Sequence, residues 1–188
     1  IVDKARTNSV KQLSPNKSQN YAIALLLGIL IPGGLIFVFD YFSTKIQTRE
    51  DIDNNTQVPI LGTIGHNTME TNMPVYENPR APMAENFRRI RTNLQYLIRK
   101  PEEKVIMSFS TIAKEGKTFA AMNLAAIVAL SGKKVLLAGL DLRRPNLHKY
   151  FNISNEEGIS TYLIENNTYE EIIKPTYIDH LFLAPSGP

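Results

Sequence analysis

One long uncharged run near the beginning dominates the hydrophobic pattern of this chain. Residues 21–39 contain no charged side chain, and aromatic residues stand at both ends. At about 1.5 Å per residue, a helix of this length covers roughly the 30 Å hydrocarbon core of a bilayer. The pattern predicts a juxtamembrane segment over 1–20 and a transmembrane helix over 21–42. A buried core helix of a soluble protein is the alternative interpretation.

A polar stretch punctuated by prolines follows and reads as a linker over 43–82. Inside it, residues 58–65 form a short apolar island. We expect this island to be one edge strand docked on the next domain, because Pro59 has no N–H to donate to a central ladder. The next domain is then expected over 83–188, and we expect it to be incomplete, because the chain stops soon after one more apolar run.

Strand-like and helix-like patterns alternate in that last part of the chain. Residues 105–109 read as a buried strand, 119–130 as a helix closed by Gly132, and 135–139 as a second strand. Strand, loop, helix and strand in this order begin a parallel α/β sheet. The predicted fold class is therefore α/β, with a transmembrane helix ahead of a parallel-sheet domain.

The loop between the first strand and the helix has the composition of a phosphate-binding loop. Gly116 permits a close backbone approach, Lys117 can reach the β- and γ-phosphates, and Thr118 can ligate Mg²⁺ at the helix start. We expect ATP and Mg²⁺ as cofactors. The residues expected at the nucleotide are Ala113, Lys114, Glu115, Gly116, Lys117, Thr118 and Phe119. The common pattern has an earlier glycine where Thr111 stands, and a surface lysine after a turn glycine is the alternative.

Asp141 follows the second predicted strand. Ligands of open parallel sheets bind outside the carboxyl ends of the strands, so Asp141 is expected beside the phosphates. We predict Lys117 and Asp141 as catalytic residues, and Thr118 with Asp141 as metal ligands. Asp141 capping the next turn is the alternative. Lys114 either adds a second cation to the phosphates or points into solvent.

The net charge and the composition narrow the range of possible functions. The net charge of +3 is too mild to indicate nucleic acid, and with no cysteine there is neither a disulfide framework nor a thiol nucleophile. Four basic residues precede the apolar run and two follow it closely, namely Lys4, Arg6, Lys11 and Lys17, then Lys45 and Arg49. The positive-inside rule alone places the N-terminal side in the cytoplasm. We expect the reverse, because a phosphate loop needs nucleotide triphosphate.

Glu85, Arg88 and Arg91 lie three residues apart on one predicted helical face, a spacing that usually marks a solvated surface. Together with the loop ending in Thr118 and the segment 135–148, however, this stripe resembles the cytoplasmic kinase of bacterial tyrosine kinases (BY-kinases). These are the polysaccharide co-polymerases of capsule and exopolysaccharide export. The resemblance covers nearly all of the chain, and the order of its motifs is more specific than any single one.

The resemblance implies ATP-dependent phosphorylation of protein tyrosines at the bacterial inner membrane. The implied partners are a homo-oligomeric ring, the tyrosine-rich C-terminal tail of a neighbouring subunit as substrate, the membrane and the polysaccharide export machinery. Glu85, Arg88 and Arg91 match the family's oligomerisation motif. Gly139 departs from the family, which usually has the first aspartate of Asp-x-Asp there. The family's third nucleotide motif and its tail do not occur up to Pro188.

Two other functions stay open at this stage. A partitioning-type ATPase has the same kind of loop, but usually carries an additional lysine where this chain has Ile112. A non-catalytic co-polymerase would regulate glycan chain length while its nucleotide domain only binds. Gly139 favours that second alternative, whereas the intact run 116–118 (Gly-Lys-Thr) and Asp141 oppose it.

Overall fold

The computed structural model describes residues 16–42, 45–46, 48–98, 104–112 and 114–188. The chain divides into two compact units, residues 1–58 and 59–188.

The first unit is built on one apolar helix, α1 (Lys17–Tyr41). None of its side chains is buried, and it is long and apolar enough to cross a membrane by length and composition. Pro32 lies inside the helix, which is tolerated more readily in membrane spans than in soluble helices. The helix begins four residues earlier than the predicted span.

A second helix in this unit, α2 (Arg49–Asn55), lies within the stretch expected to be linker. Thr48 and Asp51 form a capping box at its start: the Asp51 N–H donates to Thr48 Oγ1 at 3.3 Å, and the Thr48 N–H donates to Asp51 Oδ2 at 2.8 Å. These two bonds satisfy backbone donors that a helix start otherwise leaves unpaired. The two capping-box residues are visible in the sequence, but the polar composition around them favours a linker over a helix.

The second unit packs helices against a small sheet. Its elements are α3 (Pro74–Glu77), α4 (Pro82–Leu97), α5 (Lys117–Ala129), β1 (Val135–Ala138), α6 (Leu147–Phe151), α7 (Ile159–Leu163), α8 (Tyr169–Ile172), β2 (Lys174–Pro175) and β3 (Leu181–Ala184). The strand order is β1-β3-β2. Strands β1 and β3 run parallel, with Val135 opposite Leu181, while β2 pairs antiparallel to β3. The α/β class is confirmed, and the sheet is mixed rather than purely parallel.

The hydrophobic core lies between α4, α5 and the sheet. Phe87 of α4, Met122 and Ala126 of α5, and Leu181 and Leu183 of β3 are all buried there. Burying each of the larger side chains contributes about 1.5–3 kcal/mol. This packing fixes α5 across β1, and so places the start of α5 beside the carboxyl end of that strand.

Two strands expected from the sequence are not formed. Residues 105–109 have no strand structure, and the side chains of Val105 and Phe109 are 95% and 81% exposed. A strand needs a neighbour to pair with, and the sheet of the described residues consists of β1, β3 and β2 without this segment. The island at 58–65 is also irregular, although it contacts α4: Asn93 Nδ2 donates to Leu61 O at 2.8 Å.

Candidate functional site

Helix α5 begins at the phosphate-loop residues. Gly116 is its N-cap, with φ of 91°, a left-handed conformation that favours glycine. Lys117 and Thr118 form the first turn, and the Ala120 N–H donates to Gly116 O at 2.8 Å. The N–H groups ahead of Ala120 have no partner inside the helix, and with the helix dipole they favour an anion.

Lys117 and Asp141 meet across this helix start. The Lys117 Nζ and Asp141 Oδ2 atoms are 3.6 Å apart, and both side chains are about one-third to one-half exposed. The pair joins the first turn of α5 to the loop after β1, as the carboxyl-edge argument predicted. Both charged groups face solvent. A phosphate could replace Asp141 as the partner of Lys117, and a cation could replace Lys117 as the partner of Asp141.

Asp141 also closes the turn that follows it. Its Oδ1 accepts the Arg144 N–H at 3.1 Å, so the capping contact considered as the alternative is present. That backbone N–H, and the nearby Lys117 ammonium to a smaller extent, lower the pKa of Asp141. The bond to the Arg144 N–H holds the carboxylate at the sheet edge, which suits a metal ligand as well as a cap.

The rest of the loop is only partly organised by side chains. The Thr111 N–H donates to Glu115 Oε2 at 3.1 Å, which closes the loop across four residues. Lys114 is exposed and has φ of 73°. Ala113, which was expected at the nucleotide, lies outside the described residues.

These groups fit a magnesium nucleotide. The open N–H groups at the start of α5 and the Lys117 ammonium are donors for phosphate oxygens, while the Thr118 hydroxyl and Asp141 carboxylate are oxygen ligands of the kind Mg²⁺ prefers. Within the described part of the chain no group of three or more His, Cys, Asp or Glu side chains could hold a metal ion. Magnesium is commonly held by one or two protein ligands plus phosphates and waters, so this donor set suffices.

Phe119 has a different place from the one expected. It is half-buried, and its ring packs against Phe87 of α4 with the ring centroids 6.1 Å apart. Its side chain thus belongs to the packing between α4 and α5. Only its backbone N–H, at the start of α5, remains available to a nucleotide.

Asn123 supports the loop helix and was missed by the sequence reasoning. It is fully buried in α5, its Oδ1 accepts the Val75 N–H at 3.3 Å, and its Nδ2 donates to Asn72 O and Phe119 O, both at 2.9 Å. Every polar atom of the amide is used, and the segment before α3 is tied to α5. A lone asparagine inside an apolar helix was the available signal.

The stripe on α4 is largely paired within the chain. Arg88 Nη1 lies 3.0 Å from Glu85 Oε2, and Arg88 Nη2 donates to Pro79 O at 2.6 Å. Arg91 Nη1 donates to Ile127 O of α5 at 3.3 Å. Glu85 and Arg88 keep about half and two-fifths of their side chains exposed, so they are the part of the stripe that faces solvent.

Comparison with known proteins shows that the chain is similar to tyrosine-protein kinases. The chain is 34% identical over 120 residues to the tyrosine-protein kinase YwqD of Bacillus subtilis, covering 64% of this chain and 51% of that protein. It is 26% identical over 196 residues to the tyrosine-protein kinase Etk of Escherichia coli, covering 93% of this chain and 27% of that protein. No protein-family profile matches.

Comparison with solved structures gives the same result. The kinase domain of E. coli ETK aligns with a TM-score of 0.69 at 27% identity, covering 76% of this chain and 60% of that one. The chimeric protein CapA2B2 aligns with a TM-score of 0.65 at 35% identity, covering 75% and 61%. The chain is a relative of the bacterial tyrosine kinases. The resemblance is thereby confirmed, and the chain spans about half or less of the length of these curated relatives.

Proposed function

We propose that this chain is part of a membrane-anchored protein-tyrosine kinase that transfers the γ-phosphate of ATP to protein tyrosines. The observation that carries the proposal is the meeting of Lys117 and Asp141 at 3.6 Å, at the start of α5 and the carboxyl end of β1. The relatives of the chain are tyrosine kinases, which supports the choice of reaction.

Phosphoryl transfer asks mainly for placement and for neutralisation of charge. Lys117 and the N–H groups at the start of α5 would hold the phosphates, and Gly116 would let the backbone come close. Thr118 and Asp141 would hold Mg²⁺, which supplies charge neutralisation at the phosphates when bound. Lys114, Glu115 and the N–H of Phe119 would complete the binding loop.

The partners and the location belong to the same proposal, and the tyrosine kinases among the relatives support it. We propose a homo-oligomeric ring in which Glu85, Arg88 and Arg91 lie at the subunit interface, with tyrosines of a neighbouring subunit's tail as the substrate. In this proposal α1 anchors the protein in the bacterial inner membrane, residues 59–188 lie in the cytoplasm, and the complex acts with the polysaccharide export machinery.

A non-catalytic regulator that only binds nucleotide is the second candidate function, and Gly139 is the observation that favours it. No side chain at position 139 can help to place a metal or an attacking hydroxyl, which leaves Asp141 as the acid at that end of β1. Both candidates require nucleotide binding, and only the kinase requires phosphotyrosine.

The binding test uses Lys117→Ala in the intact protein, purified in detergent. Removing the ammonium takes away a charge-assisted contact worth about 1.5–3 kcal/mol, so the affinity for Mg·ADP should fall roughly tenfold to a hundredfold. Lys133→Ala is the matched control, because Lys133 is an exposed lysine between α5 and β1. Equal affinity in Lys117→Ala and the parent would refute the loop assignment.

The reaction test separates the two candidates. The intact protein is incubated with Mg·ATP, and phosphotyrosine is detected by mass spectrometry in the parent and in Lys117→Ala. We expect phosphotyrosine in the parent alone. A parent that binds Mg·ADP, yet forms no phosphotyrosine on itself or on a subunit mixed with it, would favour the regulator.

A further inference from the structure

The most exposed tyrosine of the second unit stands in the last turn of α4. Tyr96 is 81% exposed, whereas no other tyrosine in residues 59–188 exceeds 53%. Its side chain makes neither a hydrogen bond nor a ring contact with any residue that the structure describes. By contrast, the rings of Tyr76 and Tyr177 pack at 5.4 Å, and the Tyr76 hydroxyl donates to Tyr177 O at 3.4 Å. The Tyr96 hydroxyl is therefore free to enter the site of another molecule.

The packing of α4 on α5 places Tyr96 far from the phosphate loop of its own subunit. The Phe87 and Phe119 rings meet at 6.1 Å near the start of α5, and Arg91 Nη1 donates to Ile127 O near its end, so the two helices run in the same direction. Tyr96 lies about 7 Å farther along α4 than Arg91, and the loop lies about 15 Å back along α5 from Ile127. Tyr96 and the loop are thus at opposite ends of the helix pair. A subunit cannot bring this tyrosine to its own phosphates.

Tyr96 lies on the same face of α4 as Glu85. Tyr96 follows Glu85 by three turns of the helix, and successive turns of an α-helix stack along one side. In the proposed ring Glu85 lies at the contact with the neighbouring subunit, so Tyr96 is directed towards that neighbour as well. We propose that Tyr96 is a phosphoacceptor of the kinase, modified in trans at the phosphate site of another subunit. This inference rests on the proposed function and adds a substrate tyrosine within α4 to those of the tail.

The transfer is an in-line displacement at phosphorus. Tyr96 Oη attacks the γ-phosphorus of ATP bound at the start of α5 in another subunit. The bond from Oη to phosphorus forms while the bond from that phosphorus to the β,γ-bridging oxygen breaks. ADP leaves with the electron pair of the broken bond, and the phenol proton passes to water. The subunit that gives the phosphate needs its Lys117, whereas the subunit that receives the phosphate does not.

Mixed oligomers of the intact protein test this transfer. The parent is coexpressed with an acceptor copy that carries Lys117→Ala and Leu97→Val, and the oligomers are purified in detergent. Trypsin releases residues 92–99, in which Tyr96 is the only tyrosine, and Leu97→Val lowers the mass of the acceptor's peptide. Mass spectrometry with fragmentation should find phosphate on Tyr96 of the acceptor's peptide. Its level should be about tenfold or more above that of the acceptor expressed alone, because Lys117→Ala weakens nucleotide binding by that factor.

Three controls accompany the mixed oligomers. Moving Leu97→Val from the acceptor to the parent copy should leave the result unchanged, since Leu97 is exposed. Tyr169→Phe in the acceptor, which changes another exposed tyrosine, should leave the phosphate on residues 92–99 unchanged. Tyr96→Phe in the acceptor should abolish it. The same change in the parent should keep the affinity for Mg·ADP within about twofold, since Tyr96 lies away from the phosphate loop.

Several results would overturn the inference. Phosphate on other tyrosines but none on residues 92–99 would remove Tyr96 from the substrates and leave the proposed function standing. Phosphate on Tyr96 of the parent copy alone would mean transfer within one subunit, against the geometry. Phosphate on Tyr96 of the acceptor expressed alone would mean that another enzyme modifies it. A parent protein without phosphotyrosine at any position would overturn both the inference and the proposed kinase.

Discussion

Lys117 and Asp141 illustrate how single residues of this site depend on both local and distant sequence. Lys117 stands in the first turn of α5 because Gly116 ahead of it adopts a left-handed conformation. Asp141 is placed by β1 and by its bond to the Arg144 N–H. Each residue is fixed by its own element, and the 3.6 Å contact between them follows from the packing of α5 on β1.

The lowered pKa of Asp141 predicts a pH dependence of stability. A carboxyl whose pKa is lower in the folded than in the unfolded state stabilises the fold above about pH 4, and this contribution is lost as the pH falls through the lowered value. The effect should stay below about 1 kcal/mol, because the side chain is half exposed and water screens its charge. Asp141→Asn should therefore melt slightly below the parent at pH 7.

Thermal melting of both proteins from pH 7 to pH 3 checks this prediction. Asparagine keeps an oxygen that can accept the Arg144 N–H, so the comparison isolates the charge. The gap between the two melting temperatures should narrow as the pH falls below about 4. A gap of constant size over the whole range would contradict a charge effect.

The sequence could predict the residues of the loop because their signal is local. Gly116, Lys117 and Thr118 are adjacent, and the apolar helix after them is visible in the same window. The bonds of Asn123 to Val75 and Asn72 could not be predicted, since they join α5 to a distant part of the chain. Phe119 shows the opposite error, in which a loop position predicted to bind has its side chain in the core.

Among the elements, α5 has a C-terminal end whose carbonyls can all be accounted for. A helix leaves its last four carbonyls without helical partners. Here the acceptors are Ala126 O from the Leu130 N–H, Val128 O from the Ser131 N–H, Ala129 O from the Gly132 N–H, and Ile127 O from Arg91 Nη1. Arg91 thus supplies the one partner that the local backbone does not, and its positive charge lies at the favourable end of the helix dipole.

We predict that Arg91→Met destabilises the protein by about 1–2 kcal/mol, because it removes both the donor to Ile127 O and the charge at the end of α5. Arg91→Lys should recover part of the loss. Arg89→Met is the control, since Arg89 is the exposed arginine of the same helix turn. Melting temperatures of the three variants test whether Arg91 stabilises the end of α5. Equal values for Arg91→Met and Arg89→Met would exclude the capping role.

The elements that the sequence mispredicted share one physical cause. The run 105–109 has the composition of a strand, but strand formation depends on a pairing partner that composition does not reveal. By contrast α4 and α5 follow from periodicity and apolar content alone, since a helix makes its hydrogen bonds within itself. Helix α2 was missed because its capping box is short and its surroundings are polar.

At the scale of the whole molecule, the proposed ring would depend on the exposed part of the α4 stripe. Arg88 pairs with Glu85 and with Pro79 O, and it keeps part of its guanidinium exposed. In a head-to-tail ring one altered patch weakens every interface at once. Arg88→Ala should therefore lower the oligomer size and tyrosine phosphorylation together, while the affinity for Mg·ADP stays within about twofold of the parent, since Arg88 lies outside the phosphate loop.

Light scattering of the detergent-solubilised protein measures the oligomer. Arg89→Ala, which changes an exposed arginine on the neighbouring position of α4, is the matched control. If Arg88→Ala assembled like the parent, the stripe would be an ordinary solvated surface.

Two opposing arguments bear on the orientation of α1 in the membrane. Helix α1 is 25 residues long, or about 37 Å, and buries none of its side chains, so a bilayer is the environment that its surface fits. The charges around it favour a cytoplasmic N-terminal side, whereas the phosphate site in the second unit requires the compartment that holds ATP. For the proposed kinase we give the second argument more weight, because a topology set by weak charge asymmetry can be overridden and a nucleotide site outside the cytoplasm would lack ATP.

Cysteine labelling tests this topology, since the chain contains no cysteine of its own. Ser18→Cys, at the start of α1, should react with a membrane-impermeant maleimide in intact spheroplasts. Lys133→Cys, in the exposed connection between α5 and β1, should react only after lysis. Each variant controls for the other, because both positions are exposed in the protein and the proposal places them on opposite sides of the membrane. Labelling of Lys133→Cys from outside would reverse the orientation, and release of the protein into buffer without detergent would remove the membrane span.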